Sequence, residues 1–244
     1  MAHCTDLRQP PLRRLQVFRS RLLSWFGAHA RRFPWRSRRA STYVQIVSEV
    51  LLQRTRAEVV ARMIPAFVAR YPDWTSLARA RRSELEGVLR PLGLWRRRAA
   101  SVVRLARHAD AVDGKFPRQR AEIETIPAVG QYVASAILLF VHGDASPLLD
   151  TNMARVLERH FGPRQLADIR HDPYLQALAA SIVDCSRPID LNWAILDLGA
   201  TVCTPREPDC RACPLRTGCK YARAVAARLT IGGRRPSSGT GRKR

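Results

Sequence analysis

The chain has 244 residues, enough to bury a substantial core in one large domain or two smaller interlocking ones. Lysine and arginine number 42 against 20 acidic residues, a formal charge of +22 that is mostly arginine spread along the chain and that points to a polyanionic partner. No run of about 18 apolar residues occurs, which excludes a membrane-spanning helix, and the polar, arginine-bearing start lacks the apolar region of a signal peptide.

The expected location is therefore the cytoplasm, in contact with the nucleoid. In that reducing compartment the six cysteines argue for a metal site over disulfides, since four crowd between Cys203 and Cys219 while Cys4 and Cys185 stand apart.

In chain order, Tyr43, Val47, Val50, Leu51 and Arg54 follow one helical stripe, and Val59, Val60, Met63, Ile64, Phe67 and Val68 follow a second. Glu49 sits inside the first, otherwise apolar, stretch. A buried carboxylate is costly, which favours a functional role over a plain surface salt bridge. Further helices are expected at 96–109, 121–126, 131–142, 152–160, 174–184 and 191–199, separated by Arg90-Pro91-Leu92-Gly93 and Phe161-Gly162-Pro163. Strands find almost no support, so the fold class is all-α. The end of the chain, from 227 to 244, is basic and reads as a flexible tail.

Between two of these helices, Ile126-Pro127-Ala128-Val129-Gly130-Gln131-Tyr132 turns tightly and restarts with small residues. Such a turn exposes consecutive backbone amides beside a helix N-terminus, a site for a phosphate oxygen. Asp150, at the start of the next helix, is placed to cap it. Cys203, Cys210, Cys213 and Cys219 follow in the spacing C-x6-C-x2-C-x5-C. Four thiolates can wrap one zinc or one iron–sulfur cluster; zinc sites usually show two separated close pairs, whereas one close pair with single outer ligands favours a 4Fe-4S cluster.

Taken with Phe33-Pro34-Trp35-Arg36, the segments Ser48–Thr55, Ile126–Ala134, Leu149–Val156 and the cysteine spacing resemble, in order and at matching intervals from about residue 33 to 219, the helix-hairpin-helix DNA glycosylases that carry an iron–sulfur cluster, the endonuclease III and adenine glycosylase type. The resemblance implies two lobes with a DNA groove between them: a helical barrel over 35–144, and a cluster lobe formed from 1–34 and 145–226. It implies that the four cysteines hold a 4Fe-4S cluster that braces a loop whose Arg206, Arg211 and Arg216 meet the DNA backbone. Pro127, Val129, Gly130 and Gln131 would grip a phosphate, and the hairpin carbonyls are compatible with a bound cation. Asp150 would face the anomeric carbon of a flipped nucleotide and stabilise the sugar cation, with Tyr132 facing it across the groove. Glu49 would contact the base or the attacking water, and Arg54, beside Gln53, would fill the gap left by the extruded nucleotide. Ala128 departs from the family's glycine.

Tyr132 stands where lyase-active members place the lysine that forms a Schiff base, which implies a monofunctional enzyme. Adenine glycosylases commonly place serine there and the mismatch thymine/uracil enzymes tyrosine. About 25 residues follow Cys219, below the ~50-residue lower limit of an added reader domain for 8-oxoguanine. The expectation is base excision repair of thymine or uracil opposite guanine, by a monomer on double-stranded DNA. The alternatives are an adenine glycosylase acting opposite 8-oxoguanine or guanine, and a non-catalytic iron–sulfur DNA-binding protein.

Overall fold

The computed structural model describes residues 10–37 and 39–232, and among them regular structure is helical throughout. The α-helices are α1 (Leu12–His29), α2 (Thr42–Leu52), α3 (Ala57–Arg70), α4 (Trp74–Ala78), α5 (Arg82–Leu89), α6 (Trp95–Ala111), α7 (Arg120–Ile123), α8 (Gln131–Val141), α9 (Thr151–Phe161), α10 (Pro173–Val183), α11 (Pro188–Thr201) and α12 (Lys220–Gly232). Short 3-10 turns cover Pro34–Arg36 and Arg90–Leu92. No helix among the described residues is long and apolar enough to cross a membrane.

Local chemistry sets these boundaries. Ser41, Asp150 and Asp172 cap α2, α9 and α10 by accepting backbone amides of the first turn, and Asp73 with Ser76 forms a reciprocal box at the start of α4. Each cap satisfies amides that have no partner within the helix. Helix α1 buries Leu15, Phe18, Leu22 and Phe26, one every three or four residues, and full burial of such side chains is worth roughly 1.5–3 kcal/mol each.

The packing falls into two groups. Helix α2 lies against α3, α6 and α8, α6 carries α4 and α5, and α7 sits on α8. In the second group α1 packs on α10 and α11, and α9 on α10, α11 and α12, so the early helix α1 meets helices late in the chain. Contacts between α8 and α11 join the groups, as does Asp197 of α11. That fully buried carboxylate accepts from the Arg31 amide (3.0 Å), Arg31 Nε (2.7 Å) and Arg36 Nη1 (2.8 Å).

Three expectations need correction. Arg54 is not part of the α2 stripe: the helix ends at Leu52, and Arg54 follows in an exposed turn with φ +56°. The helix expected at 121–126 stops at Ile123, because Thr125 and Ile126 bond back to Glu122 and Ile123 as turns. The tail expected from 227 begins inside α12, which runs to Gly232; residues 233–244 lie outside the described residues, as does Cys4.

Candidate active site

A cleft of about 1010 Å³ opens between the end of α2, the start of α8, the start of α9 and the loop that leads into α10. Glu49 enters it from α2, with 2% of its surface exposed. Its Oε2 accepts the hydroxyl of Tyr132, on the first turn of α8, at 2.9 Å. Burial pushes the Glu49 carboxyl up to about 7, the Tyr132 bond and the Arg36 charge pull it back, and the Asp150 carboxylate adds to the rise. The Tyr132 hydroxyl is held well above its ordinary range, first by burial and then by the charges of Glu49 and Asp150, so it remains the donor.

Asp150 lines the same cleft from the N-terminus of α9. Its Oδ1 accepts the Asn152 and Met153 amides at 2.8 Å each, and its Oδ2 accepts Asn152 Nδ2 at 2.8 Å. Burial raises this carboxyl, while those helix-end bonds and the charge of Arg155 oppose the rise. The carboxylate is held from behind. Arg155 donates from Nη2 to Asn152 Oδ1 (2.9 Å) and to the Gly199 carbonyl (2.6 Å), and from Nε to the Cys203 carbonyl (2.8 Å). Glycine is required at 199, since a Cβ there would meet the Asn152 Cβ at 2.9 Å.

Two arginines that sequence reading did not assign complete the surroundings. The Arg36 side chain, 8% exposed, lies over the rings of Phe33 (5.0 Å) and Trp193 (5.2 Å), and its Nε is buried with no hydrogen-bond partner among the described residues. The tetrapeptide Phe33–Arg36 stands out in the sequence, but the tie of Arg36 to Asp197 spans 161 residues, and no local pattern announces it. Arg98 of α6 clamps the turn after α2 by donating to the carbonyls of Leu51 (3.2 Å) and Gln53 (2.7 Å) and to Thr55 Oγ1 (2.6 Å). That clamp presents Gln53 and Arg54, both exposed, at the cleft mouth.

The hairpin between α7 and α8 is closed by the Val129 amide on the Ile126 carbonyl (3.0 Å). Ala128 takes the left-handed conformation (φ +69°), and Gly130 starts α8 with no side chain capping its amides. Gly130 and Gln131 line the cleft. Pro127 and Val129 are not among its lining residues; Pro127 is exposed outside it and Val129 points into the core.

The four clustered cysteines lie apart from the cleft, on the segment between α11 and α12. Arg159 Nη1 reaches Cys203 Sγ at 3.4 Å, and Cys219 Sγ donates to the Arg159 carbonyl at 3.2 Å. Burial pushes the Cys213 thiol up to about 11, and the charges of the other three cysteines add to the rise. Cysteine sulfur is the ligand that a four-cysteine cluster takes. Among the described residues, no three His, Cys, Asp or Glu side chains are gathered closely enough to hold a metal.

The described residues thus form a helical protein whose cleft brings the start of the hairpin helix α8 beside the buried carboxyls of Glu49 and Asp150. The chain belongs to the HhH-GPD superfamily of base excision DNA repair proteins, whose family model matches residues 47–195. It is 37% identical over 213 residues to the thymine-DNA glycosylase of Aeropyrum pernix, covering 85% of this chain and 95% of that one. It is 33% identical over 224 residues to the adenine DNA glycosylase of Homo sapiens, covering 86% of this chain and 40% of that one. The solved structure of a thermostable thymine-DNA glycosylase superposes with a TM-score of 0.79 at 30% identity, over 87% of this chain and 98% of the other.

Proposed function

We propose that the protein is a monofunctional DNA glycosylase that hydrolyses the N-glycosidic bond of a flipped thymine or uracil opposite guanine, acting as a monomer on double-stranded DNA. The observation that carries this reading is the hydrogen-bonded Tyr132–Glu49 pair sharing a cleft with Asp150, with no lysine among the residues that line it. Breaking the bond builds positive charge on the sugar, and the Asp150 carboxylate, fixed by three hydrogen bonds, stabilises that charge without having to reorganise. Glu49 titrates close to neutral pH and so can take a proton from the attacking water while Tyr132 orients it. Without an amine there is no Schiff base and hence no lyase step. Arg54 and Gln53, held out by Arg98, occupy the space the flipped base leaves, and the amides of Gly130 and Gln131, which no side chain caps, receive a phosphate.

The thymine and uracil assignment is supported by Tyr132 and by a relative named as a thymine-DNA glycosylase that matches over nearly its whole length. A second reading, adenine opposite 8-oxoguanine or guanine, is favoured by one observation. A carboxyl near 7 suits protonation of an adenine leaving group, which thymine and uracil, leaving as stabilised anions, need less.

Cys203, Cys210, Cys213 and Cys219 would hold a 4Fe-4S cluster. When bound it braces the 203–219 loop so that Arg206, Arg211 and Arg216 face the DNA backbone. On this reading the packing group of α1 and α9–α12 would be the cluster lobe, and that of α2–α8 the barrel lobe.

A panel of labelled duplexes carrying T:G, U:G, A:8-oxoguanine, A:G and matched pairs, treated with hot alkali, tests the substrate. T:G and U:G are expected to be processed, and cleavage confined to the adenine duplexes would replace this reading with the second one.

A further inference from the structure

The loop between α9 and α10 brings Asp168, Ile169 and Arg170 to the wall of the cleft that the turn with Gln53 and Arg54 also lines. Sequence reading assigned it no role. Most of the bonds that fix the loop do not involve the side chains of its charged pair. The fully buried Asp172 carboxylate collects the amides of Gln165 (2.5 Å), Leu166 (2.6 Å) and Leu175 (2.6 Å), and Gln176 Nε2 holds the Ile169 carbonyl at 2.8 Å. Gln131, at the uncapped start of α8, donates to the Arg170 carbonyl at 3.3 Å and ties the loop to the hairpin.

On this frame Arg170 grips Asp168 through both arms of its guanidinium, Nε to Oδ1 at 3.0 Å and Nη2 to Oδ2 at 2.6 Å. The two side chains are 67% and 40% exposed. An ion pair so open to water contributes little to stability; Asp168 Oδ1 also accepts the Arg170 amide at 2.9 Å, a turn contact that an asparagine oxygen can keep. The fork that fits a carboxylate also fits two phosphate oxygens.

Resting on the DNA glycosylase reading above, we propose that Arg170 is a backbone-phosphate contact for the DNA strand entering the cleft, held ready by Asp168, which releases the guanidinium when the phosphate arrives. A strand that crosses the start of α8 lies beside the loop that carries Arg170, because Gln131 bonds the Arg170 carbonyl. The rigid loop places the guanidinium in advance, so little order is lost on binding. Asp168 keeps the cleft less attractive to other anions until a polyanion competes with it.

The experiment is DNA affinity against salt for Arg170→Gln, Asp168→Asn and the double variant, on mismatched and matched duplexes, with thermal unfolding as the check on folding. Loss of one phosphate contact lowers the slope of log K against log salt by about 0.9. Arg170→Gln is expected to show that loss on both duplexes, and Asp168→Asn to bind roughly threefold or more tightly. In the Arg170→Gln background the Asp168→Asn gain should vanish, since Asp168 acts through Arg170. An unchanged slope in Arg170→Gln, or an Asp168→Asn gain that persists without Arg170, overturns the proposal. Excision by the wild type on the same duplexes separates the two ideas: excision with unchanged slopes sinks the phosphate contact alone, and slope changes without any excision sink the glycosylase reading alone.

Discussion

The Glu49→Gln variant is expected to be more stable than the wild type, and only at high pH. In the unfolded chain this carboxyl titrates near its ordinary 4.5, whereas in the folded protein burial pushes it up to about 7. Between those values the native state holds a proton that the unfolded state has released, so native stability falls as pH rises through that window and stays reduced above it. At about 1.4 kcal/mol per pH unit the loss amounts to about 3 kcal/mol by pH 8. Glutamine keeps the shape and still accepts the Tyr132 hydroxyl, but has nothing to ionise. The Tyr132 bond to the carboxylate is already contained in that value, but the glutamine amide must bury N–H donors that the carboxylate lacks, which offsets roughly 1 kcal/mol. A gain of about 2 kcal/mol at pH 8 should raise the melting temperature by about 4–8 °C in a chain of this size. At pH 5 the two proteins should melt within a few degrees of each other. Denaturation followed by circular dichroism at both pH values, with excision measured in parallel, is the assay. Glu49→Gln should lose excision as it gains stability, the usual signature of a strained functional group. An equal stability difference at pH 5 and pH 8, or a loss at pH 8, would refute the argument.

Three further outcomes are expected. Ala128→Gly relieves a left-handed backbone that costs an alanine roughly 1–2 kcal/mol, of which the greater freedom of glycine in the unfolded chain returns a part; urea unfolding should show a net gain of about 0.5–1 kcal/mol, and a loss would mean the hairpin is not strained. Purified protein should be brown with roughly four irons per chain, and Cys219→Ser should lose most of that colour; a colourless protein carrying one zinc would overturn the ligand assignment. Borohydride added during incubation with abasic-site DNA should trap no covalent adduct, because no lysine lines the cleft; efficient trapping would assign Lys115 or another amine the role denied here.

What the sequence disclosed follows from the range of the forces involved. Helix α3 was readable because Val60, Ile64 and Phe67 recur on one face, and α9 because Asp150 both caps it and precedes its apolar stripe. Glu49 stood out because a carboxylate within apolar neighbours is out of place, yet its partner Tyr132 lies 83 residues away and left no local trace. The same holds for the Arg98 clamp on Gln53, 45 residues distant, and for the fully buried Asp197. Such ties exist only once the helices have packed. Arg54 was misplaced on a helix because its spacing continued the stripe, while the backbone turned one residue earlier. The loop with Asp168 and Arg170 carries no periodicity and no motif, and only its position on the cleft wall gives it meaning.

The central claim is that the Asp150 carboxylate stabilises the sugar cation while this protein releases a mismatched pyrimidine without cutting the strand. The most direct measurement is single-turnover excision from a T:G duplex by the wild type and by Asp150→Asn, each read with and without hot alkali. Asparagine preserves the cap on the Asn152 and Met153 amides and removes the anion. Losing one such contact typically lowers the rate by ~10²–10³. Strand breaks from the wild type only after alkali, and a loss of at least that size in Asp150→Asn with DNA binding retained, are the predicted results. Excision by Asp150→Asn at wild-type speed would reduce the carboxylate to a helix cap, and wild-type breaks without alkali would make the enzyme a lyase; either result contradicts the account.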